Sequence, residues 1–163
     1  MNVSIYSRDA VKNLIDNNFP ANTAVISFYN PKDSKGYGNS TPLNYQGQCE
    51  RIFYACIHDI DIEVLENYGL TFGTYFPEVD ELADFIIQAE QDGLDILCQC
   101  EYGQSRSTAC AAAIREFFYH DGINIFADYR YYPNQLVFNK ILSSLKKKTT
   151  AFNIGKILHT TSS

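Results

Sequence analysis

Apolar positions along the chain fall into short continuous runs that alternate with stretches of helical spacing. Ala10, Val11, Leu14 and Ile15 recur at helical spacing behind Ser7-Arg8-Asp9, which predicts a capped amphipathic helix. Thr23 to Tyr29 (TAVISFY) is a β-rich apolar run and predicts a strand. Residues 30–48 are rich in Pro, Gly, Asn and Ser and predict a loop. Arg51 to Ile57 (RIFYACI) predicts a second strand, ending at His58-Asp59-Ile60-Asp61. Pro77 with Glu78, Asp80 and Glu81 opens a helix whose apolar face carries Val79, Leu82, Phe85 and Ile86, and Asp92-Gly93 stops it. Leu94 to Cys100 predicts a third strand, followed almost at once by a helix from Arg106 to Tyr119 that ends at Asp121-Gly122. Pro133 opens a last helix through Leu145. Residues 148–163 are polar and lack a clear period, so they are expected to fray.

This alternation predicts one α/β domain over residues 1–147 with a tail at 148–163. The domain is expected to hold a central, mostly parallel sheet of four or five strands with helices on both faces. Such a sheet places its site at the carboxyl ends of the strands. The chain has 163 residues, enough for one domain with a real core. Hydrophobic residues at 45% and charged residues at 20% exclude disorder over the whole length. A net charge of -6 lacks the basic footprint of a general nucleic-acid binder, so no nucleic-acid partner is expected. The start shows no basic region followed by an apolar run, and no apolar stretch is long enough to span a bilayer. The expectation is a cytoplasmic chain without a membrane partner. The five cysteines, Cys49, Cys56, Cys98, Cys100 and Cys110, are an odd count and argue against a secreted disulfide framework.

The chemistry concentrates in Cys100-Glu101-Tyr102-Gly103-Gln104-Ser105-Arg106-Ser107. A strand runs into a short loop that begins with Cys and closes with Arg, and an Ala-rich helix leaves it. Successive amides in a tight loop can converge on one centre, and the helix amino terminus adds unpaired donors and partial positive charge. Arg106 adds a planar fork suited to phosphate oxygens. Gly103 permits a turn that a side chain obstructs. The same field favours the ionised form of a thiol at the loop's floor, and a thiolate there is placed to attack phosphorus. Ser107 is positioned to donate a hydrogen bond to the sulfur when it departs. Glu101, Tyr102, Gly103, Gln104, Ser105 and Arg106 are the expected phosphate-binding residues. The loop interior carries no cation and one acid, which favours a phosphomonoester over a polyanion.

These residues resemble the Cys-x5-Arg-Ser loop of the cysteine-dependent protein tyrosine phosphatases, and are most similar to the small dual-specificity-like group with its bacterial-type members. The likeness extends to Ile57-His58-Asp59-Ile60 and Tyr132-Pro133-Asn134, over about residues 52–147. The resemblance implies hydrolysis of phosphomonoesters, on tyrosine or with dual specificity, through a cysteinyl-phosphate intermediate. It implies Cys100 as nucleophile, Arg106 holding the phosphoryl oxygens, Ser107 assisting departure, and neither cofactor nor metal. The implied general acid is an upstream Asp: Asp59 fits the pattern best, with Asp61 the alternative. Asn134 is implied to brace the cradle. The chain departs from the pattern at Gln99, where many members carry His.

Two other readings use the same residues. A sulfurtransferase or arsenate reductase also holds a thiolate in an anion cradle, and a phosphate-binding module without turnover keeps the cradle alone. The expected partner is a phosphorylated protein or a small phosphomonoester; the oligomeric state is left open. Among the remaining residues, Cys98 and Cys110 are expected in the core, and Cys49 or Cys56 is a candidate to protect Cys100 by a reversible disulfide. His58 and the tyrosines 129, 131 and 132 read as packing residues. Lys146-Lys147-Lys148 read as a solvated helix end complementing the dipole.

Overall fold

The computed structural model describes residues 1–32, 39–49 and 51–160, with side chains through Thr149. Four strands form one parallel sheet: β1 (Val3–Ser7), β2 (Thr23–Tyr29), β3 (Ile52–Cys56) and β4 (Asp95–Cys100), in the order β1-β4-β2-β3. The register pairs Ser7 with Cys100 and Ser27 with Gln99, so the carboxyl ends of β1, β4 and β2 finish at one edge.

Both faces of the sheet are covered, which is why β2 and β4 read as unbroken apolar runs rather than alternating ones. Ala24, Ile26 and Phe28 of β2 and Ile96, Cys98 and Cys100 of β4 face the larger core. That core is completed by α2 (Val79–Gln91), α3 (Arg106–Tyr119) and α5 (Gln135–Thr160). Val25 and Leu97 face the other way, against Val11 and Ile15 of α1 (Arg8–Asn17) and against Leu43 and Tyr45. Alanines at 109 and 111–113 are fully buried; their small side chains let α3 lie close to its neighbours on every side.

The helices predicted after Ser7 and from Arg106 to Tyr119 stand where the sequence placed them. Ser7 caps α1 by accepting from the Ala10 amide at 3.2 Å. Three elements were not predicted: β1, a 3-10 segment at Ile62–Tyr68, and the single turn α4 (Ile123–Phe126). The last helix runs on to Thr160, past Leu145. Lys147 and Lys148 therefore do not stand at a helix end. They pair with Asp80 (3.4 Å) and Asp84 (2.6 Å) on α2, and Ser144 donates to Asp80 at 2.5 Å. The Ser144 hydrogen bond is the first cause of a lowered Asp80 pKa, with the neighbouring lysines adding to it. No helix among the described residues is long and apolar enough to cross a membrane.

Candidate active site

Cys100 is the last residue of β4 and is 2% exposed. Its Sγ lies 3.1 Å from the Ser107 Oγ on the first turn of α3. The loop between them turns at Gly103, where φ is +68°. A Cβ there would meet the Ser7 amide nitrogen at 2.7 Å and the Tyr6 carbonyl carbon at 2.9 Å. The register explains the close approach: Ser7 is paired with Cys100, and the chain turns from β1 into α1 directly against the loop.

The loop's carbonyls are held by donors from outside it. The Arg8 amide donates to the Glu101 carbonyl (3.1 Å) and the Tyr132 amide to the Gln104 carbonyl (2.8 Å). Thr108 places its hydroxyl 2.8 Å from the Gln104 carbonyl and 2.7 Å from that of Ser105. With the carbonyls engaged there, the amides of residues 102–106 have no protein acceptor among the described residues. This is the arrangement of an anion nest opening on a helix amino terminus. The Glu101 carboxylate takes no part in it; it accepts from the amide and the side chain of Asn39, at 3.1 and 2.9 Å. Among the five interior positions, the one acid is therefore occupied by a neighbouring loop.

Arg106 is 2% exposed. Its Nη1 donates to the Ile57 carbonyl at 2.8 Å, and its Nε has no hydrogen-bond partner among the described residues. A buried guanidinium N–H that makes no hydrogen bond is costly, so it is a ready donor for an oxyanion. Cys100 and Arg106 line one cavity of about 150 Å³, together with Asp59, Glu101, Tyr102, Gln104, Ser105 and Tyr132.

Asp59 reaches this cavity from the segment after β3. Its Oδ1 accepts from Ser105 Oγ (2.6 Å) and Asn134 Nδ2 (3.0 Å), and its Oδ2 lies 3.6 Å from Arg106 Nε. The backbone around it is clamped through three carbonyls. Arg106 holds that of Ile57, the Tyr75 hydroxyl holds that of His58 at 2.5 Å, and Asn134 holds that of Ile60 at 3.0 Å. Burial pushes the Tyr75 phenol up, so it remains a donor. Asn134 also accepts from the Val137 amide at 3.0 Å, capping α5, so one side chain joins that helix to the Asp59 segment. Asp61 does not line the cradle; it lines a neighbouring groove. His58 is buried with its ring 4.8 Å from that of Tyr68, a packing role.

Gln99 points to the opposite face of the sheet from Cys100. Its Oε1 accepts from Ser27 Oγ at 2.6 Å and is 3.4 Å from the Tyr45 hydroxyl. Its Nε2 has no hydrogen-bond partner among the described residues. Burial pushes the Tyr45 phenol up, which keeps it a donor to this group. Sequence reasoning missed Tyr45, Tyr75, Thr108 and Asn39. Tyr45, Tyr75 and Asn39 carry no local signal, since each acts through a contact made only when distant segments meet; Thr108 acts locally, on the carbonyls three and four residues before it.

None of the five cysteines forms a disulfide. The disulfide partners proposed for Cys100 are not within reach. Cys49 contacts the Thr23 carbonyl at 3.0 Å, at the start of β2, roughly 15 Å along the sheet from Cys100 by strand rise. Cys56 lies two strands away, about 10 Å by strand spacing. A disulfide needs Cα atoms about 4.4–6.8 Å apart. Cys98 and Cys110 are fully buried, and burial, with Cys98 as neighbour, pushes the Cys110 thiol well up. Among the described residues no group of three His, Cys, Asp or Glu could hold a metal ion.

No protein-family model matches the chain, and no curated protein is similar to it at a significant level. Solved structures are similar to it in shape. The structure of PTPMT1 in complex with PI(5)P aligns with a TM-score of 0.54 at 12% identity, covering 92% of this chain and 94% of that one. A second structure of PTPMT1 aligns at 0.49 with 13% identity, covering 93% and 94%. A leucine rich repeat and phosphatase domain containing protein from Entamoeba histolytica aligns at 0.49 with 16% identity, covering 91% and 89%. At 12% identity the likeness is one of architecture, and the chain has a phosphatase-like α/β fold, that of PTPMT1.

Proposed function

We propose that the chain hydrolyses phosphomonoesters of the protein-tyrosine or dual-specificity kind through a cysteinyl-phosphate intermediate. One observation carries the reading: a buried Arg106, whose Nε makes no hydrogen bond and faces Asp59 Oδ2 at 3.6 Å, lines the same cavity as Cys100, beside a loop whose amides have no acceptor among the described residues. The phosphate dianion accepts from those amides and from Arg106. The Cys100 thiolate attacks phosphorus, the bond to the ester oxygen breaks, and Asp59 gives that oxygen a proton, releasing an alcohol or phenol. Water then attacks the cysteinyl phosphate, Asp59 takes the water's proton, and the sulfur leaves as thiolate while Ser107 Oγ donates to it. Inorganic phosphate is the second product, and the enzyme returns to its starting state.

The clamp on the Asp59 segment supports Asp59 over Asp61 as the acid. The reaction draws on no cofactor or metal, and its partner is a phosphorylated protein. A nucleophile that must stay reduced, beside four more free thiols, suits the cytoplasm. The test is vanadate-sensitive hydrolysis of p-nitrophenyl phosphate without added metal. Cys100→Ser is expected to abolish turnover while retaining vanadate binding. Acid-quenched wild type is expected to carry a phosphoryl group on Cys100. A persulfide at Cys100, or turnover that survives the substitution, overturns the reading.

A further inference from the structure

A groove of about 790 Å³ opens beside the cradle. The two cavities share Asp59, Ser105 and Tyr132, so a substrate anchored by its phosphate at the buried Arg106, whose Nε makes no hydrogen bond, lays its adjacent atoms along the groove. The segment after Asp59 contributes Asp61 and Glu63 to its lining. Phe72, Tyr131 and Tyr132 also line it. No lysine or arginine lines the groove.

The charges of Asp61 and Glu63 differ from that of Asp59. Asp59 faces Arg106, whereas Asp61 and Glu63 are exposed and form no ion pair with any described residue. Lys140 borders the groove through Phe72, but its ammonium is spent there: it donates to the Phe72 carbonyl at 2.9 Å and lies 4.7 Å from the ring centroid. Tyr132 is 73% exposed and offers an open ring face. Two carboxylates that form no ion pair, in a groove also lined by aromatic rings, form a site for a cation. A polyphosphorylated headgroup would meet the two carboxylates there, with no lysine or arginine among the lining residues.

We propose that this groove is a substrate subsite that seats an arginine or lysine side chain of a phosphopeptide, next to the phosphorylated residue held in the cradle. The inference rests on the phosphatase reading, and the test separates the two. Wild-type protein is assayed on p-nitrophenyl phosphate, on a phosphatidylinositol monophosphate, and on phosphotyrosine peptides with arginine, alanine or glutamate at each of the two positions on either side. Arginine at one of these positions is expected to raise kcat/KM about fivefold over alanine, and glutamate to lower it, as two exposed ion pairs allow. The preference is expected to shrink in about 0.5 M NaCl. In Asp61→Asn/Glu63→Gln the arginine-to-alanine ratio is expected to fall toward one, and Glu63→Lys to invert it. Equal rates on all peptides, a ratio unchanged in the double variant, or faster turnover of the lipid would overturn the subsite. Absence of p-nitrophenyl phosphate hydrolysis by wild type would overturn the phosphatase reading instead.

Discussion

Replacing Gly103 with alanine adds one methyl group where the cradle loop touches the turn from β1 into α1. Two costs arise there. The left-handed backbone at φ +68° costs an L-residue about 1–2 kcal/mol. The new Cβ also stands 2.7 Å from the Ser7 nitrogen and 2.9 Å from the Tyr6 carbonyl carbon, and both are backbone atoms that cannot rotate away. Relieving them needs a shift of several tenths of an ångström, and overpacking of this kind costs about 1–3 kcal/mol. Gly93 supplies the control, because its φ is +69° but a Cβ there meets nothing within 4 Å. Gly93→Ala is expected to lose only the backbone share, and Gly103→Ala about 2–5 kcal/mol in total. Activity separates them further, since displacing positioned donors by about 1 Å lowers rate roughly 10²-fold. Urea unfolding of both variants, with kcat/KM on p-nitrophenyl phosphate, is the assay. Equal stability loss in the two, or full activity in Gly103→Ala, would refute the argument that the loop is seated on the β1–α1 turn.

Further outcomes follow from the contacts around Asp59 and α5. Asp59→Asn is expected to lower kcat by about 10²–10⁴-fold, more for phenyl phosphate than for p-nitrophenyl phosphate, because a poorer leaving group depends more on the proton; an equal loss on both esters would remove Asp59 as the acid. Asn134→Ala loses the α5 cap and two donors to the Asp59 segment, costing about 1–2 kcal/mol and much of the activity. Asn134→Asp keeps the cap but sets a second carboxylate against Asp59 and the Ile60 carbonyl, so thermal melts should show no recovery of stability over Asn134→Ala. The lowered Asp80 pKa makes its contact with Ser144 and Lys147 a source of stability above pH 3.8 that fades as pH falls through the lower folded value. The difference in melting temperature between wild type and Asp80→Asn should therefore close in acid; a difference that persists there would contradict the linkage.

The loop from Cys100 to Ser107 was legible because its function is built from consecutive residues. A strand end, a tight turn and a helix start are set by local backbone preference, and their amides and dipole follow from that geometry. The buried strands were legible for the same reason, since covering both faces leaves an unbroken apolar run. β1 was not: Val3–Ser7 is five half-buried residues at the sheet edge, with Ser4 and Tyr6 alternating with Val3 and Ile5. Nor was the length of α5, whose lysines are held by Asp80 and Asp84 on a helix more than 60 residues earlier. The choice between Asp59 and Asp61 was open along the chain, because both follow the same strand. Folding separates them through Arg106, Tyr75 and Asn134, three residues that meet only when α3, the segment before α2 and α5 pack around the sheet. Side chains that act through distant contacts leave no periodic or spacing signal, so the sequence by itself determined the cradle loop from Cys100 to Ser107, and tertiary packing decided what stands beside it.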